Sequence, residues 1–477
     1  MNSFKPMLLT SLKSYDRAQF AKDVTAGIIV AIIALPLSIA LALASGVGPE
    51  AGIFTAIVAG FVISALGGSC VQIAGPTAAF ATIVAGIVAR DGLEGLMTAT
   101  ILAGVFLIIM GFCHFGSLIK FIPYTITTGF TSGIAVTIVI GQLKDFCGIT
   151  YPDGVKPIET MEKLKAFAEN FSTISPDALI VGGVSLAILI VSPLIFKKIP
   201  GSLIAVIAGI LMVQFLPLHV STIGNLYTIS NALPTLHLPV FDMKLIQSAI
   251  PNAFTIAVLA AIESLLSCVV ADGMINSKHR SDTELIAQGA GNIASALFGG
   301  IPATGAIART AANIKNGGRT PVAGMVHSIT LVIVLVVLMP FAGMIPMPTI
   351  AAILFLVAYN MCQWRTFVHL VRTAPKSDII VLFTTFVLTV VFDLVVAIEI
   401  GMVLACLLFI KRMSEETHAD SWVYVDDDSP AVDEHLQKLP LEIRVYEITG
   451  PLFFGAADAI EHIAVSYTHL TLPTKLE

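Results

Sequence analysis

Two charged side chains lie inside apolar stretches of this chain, where a charge is costly. Arg309 belongs to GGIPATGAIARTAANIKNGGR, residues 299–319, and Glu263 belongs to PNAFTIAVLAAIESLLSCVVADGM, residues 251–274. A charged residue at the centre of a membrane helix costs about 2.5–3.5 kcal/mol on insertion scales, so it usually has a function. The pair suggests anion binding by the arginine and ion coupling by the carboxylate. A structural salt bridge between the two is the simpler alternative.

Arg309 follows a break in its apolar segment, and this break has a counterpart in the other half of the chain. VQIAGPTAAF at 71–80 and IPATGAIART at 301–310 each join a short extended run to a proline, a threonine and small residues. In transporters with inverted repeats, such broken helices meet around the substrate. A helix N-terminus offers free N–H groups and the positive end of the helix dipole, which favour an anion. Small residues and prolines could also serve helix packing alone.

The residues of the two breaks have distinct predicted roles. The small residues let the backbone approach a ligand: Gly75, Ala78, Ala79, Gly305 and Ala306. The hydroxyls of Thr77 and Thr304 are predicted to donate to the anion or to cap their helices. Arg309, one turn further along, adds a full positive charge.

Glu263 is the predicted coupling residue. Ser267 follows it by four positions and so shares its helical face. Protonation of Glu263 would couple transport to protons, whereas the oxygens of Glu263 and Ser267 could instead bind sodium. No cofactor is expected apart from such a coupling ion, H⁺ or Na⁺.

The composition identifies the elements that must position these residues. The chain has 477 residues, of which 56% are hydrophobic and 12% charged, with a mean hydropathy of +0.90. Soluble globular proteins have about 25% charged residues, so we expect an all-α polytopic protein of the lipid bilayer. A net charge of −6 indicates no nucleic-acid partner.

Apolar runs predict fourteen transmembrane segments: 24–45, 49–68, 72–89, 96–116, 122–142, 177–195, 201–216, 247–271, 284–300, 304–316, 320–340, 345–360, 377–392 and 394–411.

The segments divide into two sets of seven. A cytoplasmic N-terminus at 1–23 precedes a first transmembrane repeat at 24–216, and an extracytoplasmic connection at 217–246 leads to a second repeat at 247–412. An odd number of spans in each repeat requires the two repeats to be inverted if they share a fold. This topology puts most loop Lys and Arg residues on the cytoplasmic side. It predicts a multi-pass protein of the inner, or plasma, membrane with both termini in the cytoplasm.

The end of the chain has a different, water-soluble character. An acidic linker is predicted at 413–440, and LEIRVYEITGPLFFGAADAIEHIA at 441–464 has the pattern of a strand followed by a helix start. This segment is predicted to begin a small cytoplasmic α/β domain. VSYTHLTLPTKLE at 465–477 continues neither pattern, so we interpret it as a truncation or a foreign tail, with a native C-terminus as the alternative.

Several motifs in order resemble the sulfate permease (SulP) family of anion transporters. They include IALPLSIALALASGVGPEAGIFTAIVAGFVISALGGS, QIAGPTAAF, AIESLLSCVVADGM and GGIPATGAIARTAANI, and EITGPLFFGAAD resembles the start of that family's STAS domain. The resemblance implies an elevator-like transporter with 7+7 inverted repeats, in which a core domain (segments 1–4 and 8–11) moves against a gate domain (5–7 and 12–14). It implies a homodimer, a cytoplasmic protein partner for the STAS domain, and ion coupling at Glu263. It places the anion between the third and tenth segments, at Thr77, Ala78, Ala79, Phe80, Ala306, Ile307, Ala308 and Arg309.

Two positions depart from the family pattern. Leu37 follows Pro36 where many members have glutamine, and Ala308 replaces a serine before the arginine. The motifs are most similar to the C4-dicarboxylate branch. The sequence thus predicts a secondary active transporter of C4-dicarboxylates or small inorganic anions such as sulfate and bicarbonate, operating as a proton symporter. The alternatives are a sodium-coupled bicarbonate transporter, an uncoupled anion channel and a nucleobase permease; no constellation indicates an enzyme.

Overall fold

The computed structural model describes residues 4–117, 124–152, 157–195, 200–239, 242–392, 394–415, 418–423 and 444–449. Its first half contains α1 (Met7–Ser11), α2 (Arg17–Ala44), α3 (Pro49–Leu66), β1 (Ala74–Gly75), α4 (Ala78–Phe112), α5 (Tyr124–Cys147), α6 (Thr160–Glu169), α7 (Pro176–Ile195), α8 (Gly201–Phe215) and α9 (Ile223–Leu226). Its second half contains α10 (Met243–Ile275), α11 (Ser281–Leu297), β2 (Thr304–Gly305), α12 (Ile307–Lys315), α13 (Val322–Ala342), α14 (Met347–Cys362), α15 (Trp364–Thr373), α16 (Lys376–Val391) and α17 (Leu394–Glu415). The strands β3 (His418–Val423) and β4 (Arg444–Thr449) follow.

All fourteen predicted segments correspond to helices, and the chain is a helical membrane protein. Eight of the described helical stretches are long and apolar enough to cross a membrane by length and composition. The remaining segments are shorter helices or the broken segments that contain β1 and β2. Large apolar side chains on the outside, such as Phe215 and Leu194, are 81% and 77% exposed, as expected for a surface in contact with lipid.

The predicted third and fourth segments are two helices that follow one another directly within α4. Their junction is at Gly92, where φ is 69° and the helical geometry is interrupted. Glycine adopts this left-handed conformation at no steric cost, so the chain can reverse there without a loop. Helix α2 begins at Arg17, ahead of the predicted first segment at 24–45, because the Asp16 side chain accepts a hydrogen bond from Gln19 N at 2.7 Å and caps the helix.

Helix packing repeats between the two halves. The α2–α13 contact has its counterpart in α10–α4, and the α3–α13 contact has its counterpart in α11–α4. Likewise α5 packs on α16 as α14 packs on α7. These relations define two inverted repeats of seven. They also define a core domain of α2–α4 and α10–α13 and a gate domain built on α5, α7, α8, α14, α16 and α17.

The C-terminal region is only partly described. β3 pairs antiparallel with β4 from His418↔Thr449 to Val423↔Arg444. β4 lies in the predicted strand of 441–464, but β3 falls inside the predicted linker at 413–440; its six residues show no long apolar run that would have marked a strand. Most of that linker, the rest of 441–464 and the tail 465–477 lie outside the described residues.

Candidate anion site at two opposed helix breaks

The two predicted helix breaks meet directly. β1 pairs antiparallel with β2, with Ala74 opposite Gly305 and Gly75 opposite Thr304. Ala306 N extends the pairing by donating to Ile73 O at 2.9 Å. Each strand leads straight into a helix, so α4 and α12 start at the same place and leave in opposite directions. Their positive ends therefore converge on one point in the core domain.

The first break places Thr77 to Phe80 at the start of α4. Thr77 is the residue before the helix, and Ala78, Ala79 and Phe80 form its buried first turn. Helix geometry leaves the amides of Ala78 and Ala79 without an acceptor inside the helix. The Thr77 hydroxyl does not cap the helix; it donates to Glu263 Oε2 at 3.0 Å.

The second break places Gly305 to Arg309 at the start of α12. Gly305 is buried and Ala306 half-buried, whereas Ile307 and Ala308 are exposed on the first turn. The Thr304 hydroxyl donates to Ala260 O of α10 at 3.0 Å, so it holds β2 in place. Neither threonine caps its helix, because both hydroxyls contact α10; the predicted contact of these hydroxyls with an anion stays a prediction.

Arg309 is buried, with only 1% of its surface exposed. Its Nη2 donates to Ser38 Oγ at 3.3 Å and to Pro76 O at 3.2 Å. Its Nε and Nη1 have no hydrogen-bond partner among the described residues. Nη1 lies against the backbone of Gly75 so closely that a Cβ there would collide with it. A buried guanidinium with two unpaired donors at the junction of two helix N-termini is a site that an anion would satisfy.

Glu263 and Arg309 do not form a salt bridge. Across the described part of the chain, no carboxylate oxygen lies within 4.0 Å of an Arg309 nitrogen. Glu263 is half-buried and faces Thr77, while Arg309 faces α2 and Pro76. The structural salt bridge considered from the sequence is therefore absent, and each charge is available for its own role.

In the described part of the chain, Ser267 makes no hydrogen bond with Glu263, the carboxylate that it was predicted to assist. It is buried, and its hydroxyl donates to Thr310 Oγ1 at 3.4 Å. Thr310 Oγ1 also accepts a hydrogen bond from Ile73 N at 3.1 Å. Ser267 thus connects α10 to both helix breaks.

Sequence reasoning missed a buried polar network beneath the breaks. Glu284 ends a charged stretch, KHRSDTE at 278–284, that has the pattern of a cytoplasmic loop, but it lies in α11 and is fully buried. Its Oε2 accepts from Gly68 N at 2.9 Å and Ser69 N at 3.3 Å, and its Oε1 accepts from Gln72 Nε2 at 2.9 Å.

The same face of α11 supports the other break. Asn292 Oδ1 accepts from Ala303 N, and Asn292 Nδ2 donates to Ala303 O, both at 2.8 Å. The spacing of Glu284, Gln288 and Asn292, at intervals of four residues along one face of α11, is the signal that could have revealed this network. α11 therefore positions the chain on both sides of the β1–β2 pair.

A cleft separates the core and gate domains beside α4. It has a volume of about 410 Å³ and is lined on the core side by Thr82, Gly86 and Arg90, and on the gate side by Thr137 and Thr389. Lys163 of α6 also lines it. Burial lowers the pKa of the Lys163 ammonium from its ordinary value.

A family model and two curated relatives all relate this chain to anion transporters. The model of the sulfate permease family matches residues 20–385. A candidate sulfate transporter of Bacillus subtilis, YvdB, is 40% identical over 451 residues, covering 94% of this chain and 83% of the relative. The bicarbonate transporter BicA of Picosynechococcus is 34% identical over 461 residues, covering 93% of this chain and 81% of BicA.

Two solved structures are also similar. The transmembrane domain of a cyanobacterial bicarbonate transporter, BicA, has a TM-score of 0.72 at 30% identity, covering 80% of this chain and 98% of that one. The murine anion transporter Slc26a9 in its inward-facing state has a TM-score of 0.86 at 19% identity, covering 98% of this chain and 80% of Slc26a9. At that identity the second similarity concerns the fold alone.

Proposed function

Because the chain belongs to the sulfate permease family, we propose that it is a secondary active transporter that carries a small oxyanion across the plasma membrane. It is a multi-pass membrane protein of a family of anion transporters, and it is not an enzyme. The named relatives favour sulfate or bicarbonate as the substrate. A C4-dicarboxylate, the homodimer and a partner of the STAS domain remain predictions.

One observation carries the proposal: within the described ranges, Nε and Nη1 of the buried Arg309 have no hydrogen-bond partner where the N-termini of α4 and α12 converge. A charged group buried without partners destabilises a protein by several kcal/mol. An anion between the two helix ends would pair with these donors and with the free amides of Ala78 and Ala79. This interaction would be lost if the substrate were a neutral nucleobase, which has no charge to balance.

The available donors are mostly backbone amides and the guanidinium. Thr77 and Thr304 direct their hydroxyls to α10, and Ala308 has none. A site of this kind recognises charge and compact size more than a particular pattern of hydroxyl contacts. Such recognition suits an oxyanion that is small enough to reach both helix ends.

Glu263 supports coupling to protons. It shares one hydrogen bond with Thr77 at the edge of the anion site, so protonation of its carboxylate would alter the charge beside the substrate. Sodium coupling is the second candidate, because the oxygens of Glu263 and Thr77 lie together. Sodium would need further oxygen ligands, and Ser267 is engaged with Thr310.

The division into core and gate supports transport by alternating access. Hydrogen bonds donated to acceptors on α10, α11 and α2 hold the β1–β2 pair and the start of α12 within the core domain. The exposed Ile307 and Ala308 form its accessible surface at α12, and the cleft lined by Thr82 and Thr389 lies between the domains. Movement of the whole core against the gate would carry the anion without dismantling its site.

Uptake by the purified protein in proteoliposomes tests the proposal. Labelled sulfate, bicarbonate and succinate are supplied separately, each with an imposed proton gradient, an imposed sodium gradient or neither. We expect accumulation of at least one of the anions driven by the proton gradient. Accumulation driven only by sodium would support the second candidate. Fast flux that never exceeds the electrochemical equilibrium of the anion would identify a channel.

A further inference from the structure

α15 is a short helix between two membrane-spanning helices, and none of its residues is buried. It follows α14 after a sharp turn at Gln363, where φ is 43°, and ends just before α16. Its inner face packs on the gate domain through Phe367, whose ring lies 5.7 Å from that of Phe383 and 5.6 Å from that of Phe386. The chain connections therefore place α15 at the membrane surface, on the side predicted to be cytoplasmic.

The outer face of α15 has two adjoining stripes. Arg365, His369 and Arg372 recur at intervals of four and three residues, which aligns them on one side of α15. Lys376 follows as the first residue of α16, and these four exposed residues form the basic stripe. Residues 361–377 contain no Asp or Glu, and the next acidic residue is Asp378 in α16. The basic stripe therefore has no acidic neighbour within α15.

The second stripe is apolar. Trp364 and Val368 are four residues apart and are 48% and 37% exposed. Trp364 Nε1 donates to the hydroxyl of Tyr359 at 3.3 Å, and Tyr359 is itself 59% exposed. The Arg365 guanidinium lies 5.6 Å from the centre of the Trp364 ring. Tryptophan and tyrosine of this kind are typical of the level of the lipid headgroups.

We infer that the outer face of α15 binds the headgroups of anionic phospholipids in the adjacent leaflet. An interfacial helix with aromatic and apolar residues on one side and arginine or lysine on the other inserts its apolar side and attracts anionic lipid. Trp364 and Val368 contact the acyl boundary, and Arg365, Arg372 and Lys376 contact the phosphates. Because α15 joins two helices of the gate domain, lipid bound there holds the gate at a constant depth while the core moves.

An acidic protein segment would use only half of this surface. The run of aspartates at 426–428, which lies outside the described residues, could pair with the basic stripe. It offers nothing to the exposed Trp364 and Val368. The two stripes together therefore favour lipid, and the acidic segment becomes an outcome that the test can detect.

Tryptophan fluorescence tests the inference on the full-length protein. The chain has two tryptophans, so Trp422→Phe leaves Trp364 as the only one. This variant is reconstituted in phosphatidylcholine bilayers that contain a small fraction of brominated phosphatidylglycerol or, at equal fraction, brominated phosphatidylcholine. We expect brominated phosphatidylglycerol to quench Trp364 at least about twice as strongly, because the basic stripe concentrates anionic lipid.

Three variants identify the cause. In the Trp422→Phe background, Arg365→Gln/Arg372→Gln/Lys376→Gln should make the two lipids quench equally. Lys13→Gln/Lys22→Gln/Lys278→Gln removes as many exposed charges elsewhere and should preserve the difference, as should the charge-conserving Arg365→Lys/Arg372→Lys. Equal quenching by the two brominated lipids in the Trp422→Phe protein would overturn the inference. Equal quenching in the Lys13→Gln/Lys22→Gln/Lys278→Gln control would overturn it as well. Weak quenching by both lipids would show that protein covers Trp364, which also overturns it.

Discussion

The hydroxyl of Thr77 donates a hydrogen bond to Glu263 Oε2 at 3.0 Å and so links the start of α4 to the middle of α10. This bond puts the Glu263 carboxylate beside the free amides of Ala78 and Ala79. A change in the charge of Glu263 is therefore felt at the anion site. The arrangement leads to the first prediction.

Glu263→Gln should separate exchange from accumulation. The glutamine oxygen can still accept from Thr77, so the packing at the start of α4 is retained, but the side chain no longer takes up a proton. We expect proton-driven accumulation to be lost while exchange of labelled for unlabelled anion persists. Both are measured in the same proteoliposomes. Proton-driven accumulation at the wild-type level would exclude coupling through Glu263.

Gly75→Ala should displace the Arg309 guanidinium. A Cβ at Gly75 would collide with Arg309 Nη1, and overpacking of a buried site costs about 1–3 kcal/mol. We expect anion affinity to fall about tenfold or more, since 1.4 kcal/mol corresponds to a factor of ten. Transport kinetics measure the effect.

Gly273→Ala is the matched control for this change. Gly273 lies in α10, and a Cβ there would meet no atom within 4 Å. We expect wild-type transport and an unchanged melting temperature. Equal transport by the Gly75 and Gly273 variants would contradict the close approach of Arg309 to β1.

Glu284→Ala should destabilise the core domain. It leaves the amides of Gly68 and Ser69 and the Gln72 side chain without their acceptor. Each unsatisfied buried group costs about 1–3 kcal/mol, so the melting temperature should fall clearly. Glu169→Gln, on the exposed end of α6 with Lys165 3.9 Å away, should change it little. Similar melting curves for the two variants would show that the network beneath the breaks is not needed for stability.

Lys163 should make anion capture sensitive to alkaline pH. Burial lowers the pKa of its ammonium, so the positive charge is present below that lowered pKa and is lost as pH rises through it. With equal pH on both sides, the apparent affinity for external anion should fall at alkaline pH. Lys163→Arg, which stays charged, should keep its affinity to higher pH. Identical pH profiles for the two proteins would remove Lys163 from the entry path.

Patterns in the sequence indicate the helix breaks because glycine and proline interrupt an apolar helix, and here they do so at matched positions of the two halves. The prediction of two opposed helix ends is confirmed by the pairing of Ala74 with Gly305. The register of that pairing was not predictable from the sequence. It depends on contacts between residues of the two halves that lie more than two hundred positions apart in the chain. The partners of Arg309, Ser38 Oγ and Pro76 O, were missed for the same reason.

Buried polar residues are harder to interpret from the chain alone. Glu284 stands next to charged residues in sequence, and only the packing of α11 against α3 and α4 shows that it is enclosed. The roles of Thr77 and Thr304 are likewise open in the sequence, because a hydroxyl before a helix can cap it or turn elsewhere. For both threonines the position of α10 decides the outcome.

The most direct test of an anion site at the two helix breaks is to measure anion binding by the wild-type protein and by the Arg309→Gln variant. The substitution removes the buried positive charge at the convergence of α4 and α12, and Arg309→Lys keeps a charge there. Labelled anion is titrated onto the purified wild-type and variant proteins, with melting curves as the check on folding. We expect no measurable saturable binding by the folded Arg309→Gln protein and weakened binding by Arg309→Lys. Wild-type affinity in Arg309→Gln would contradict an anion site at the two helix breaks.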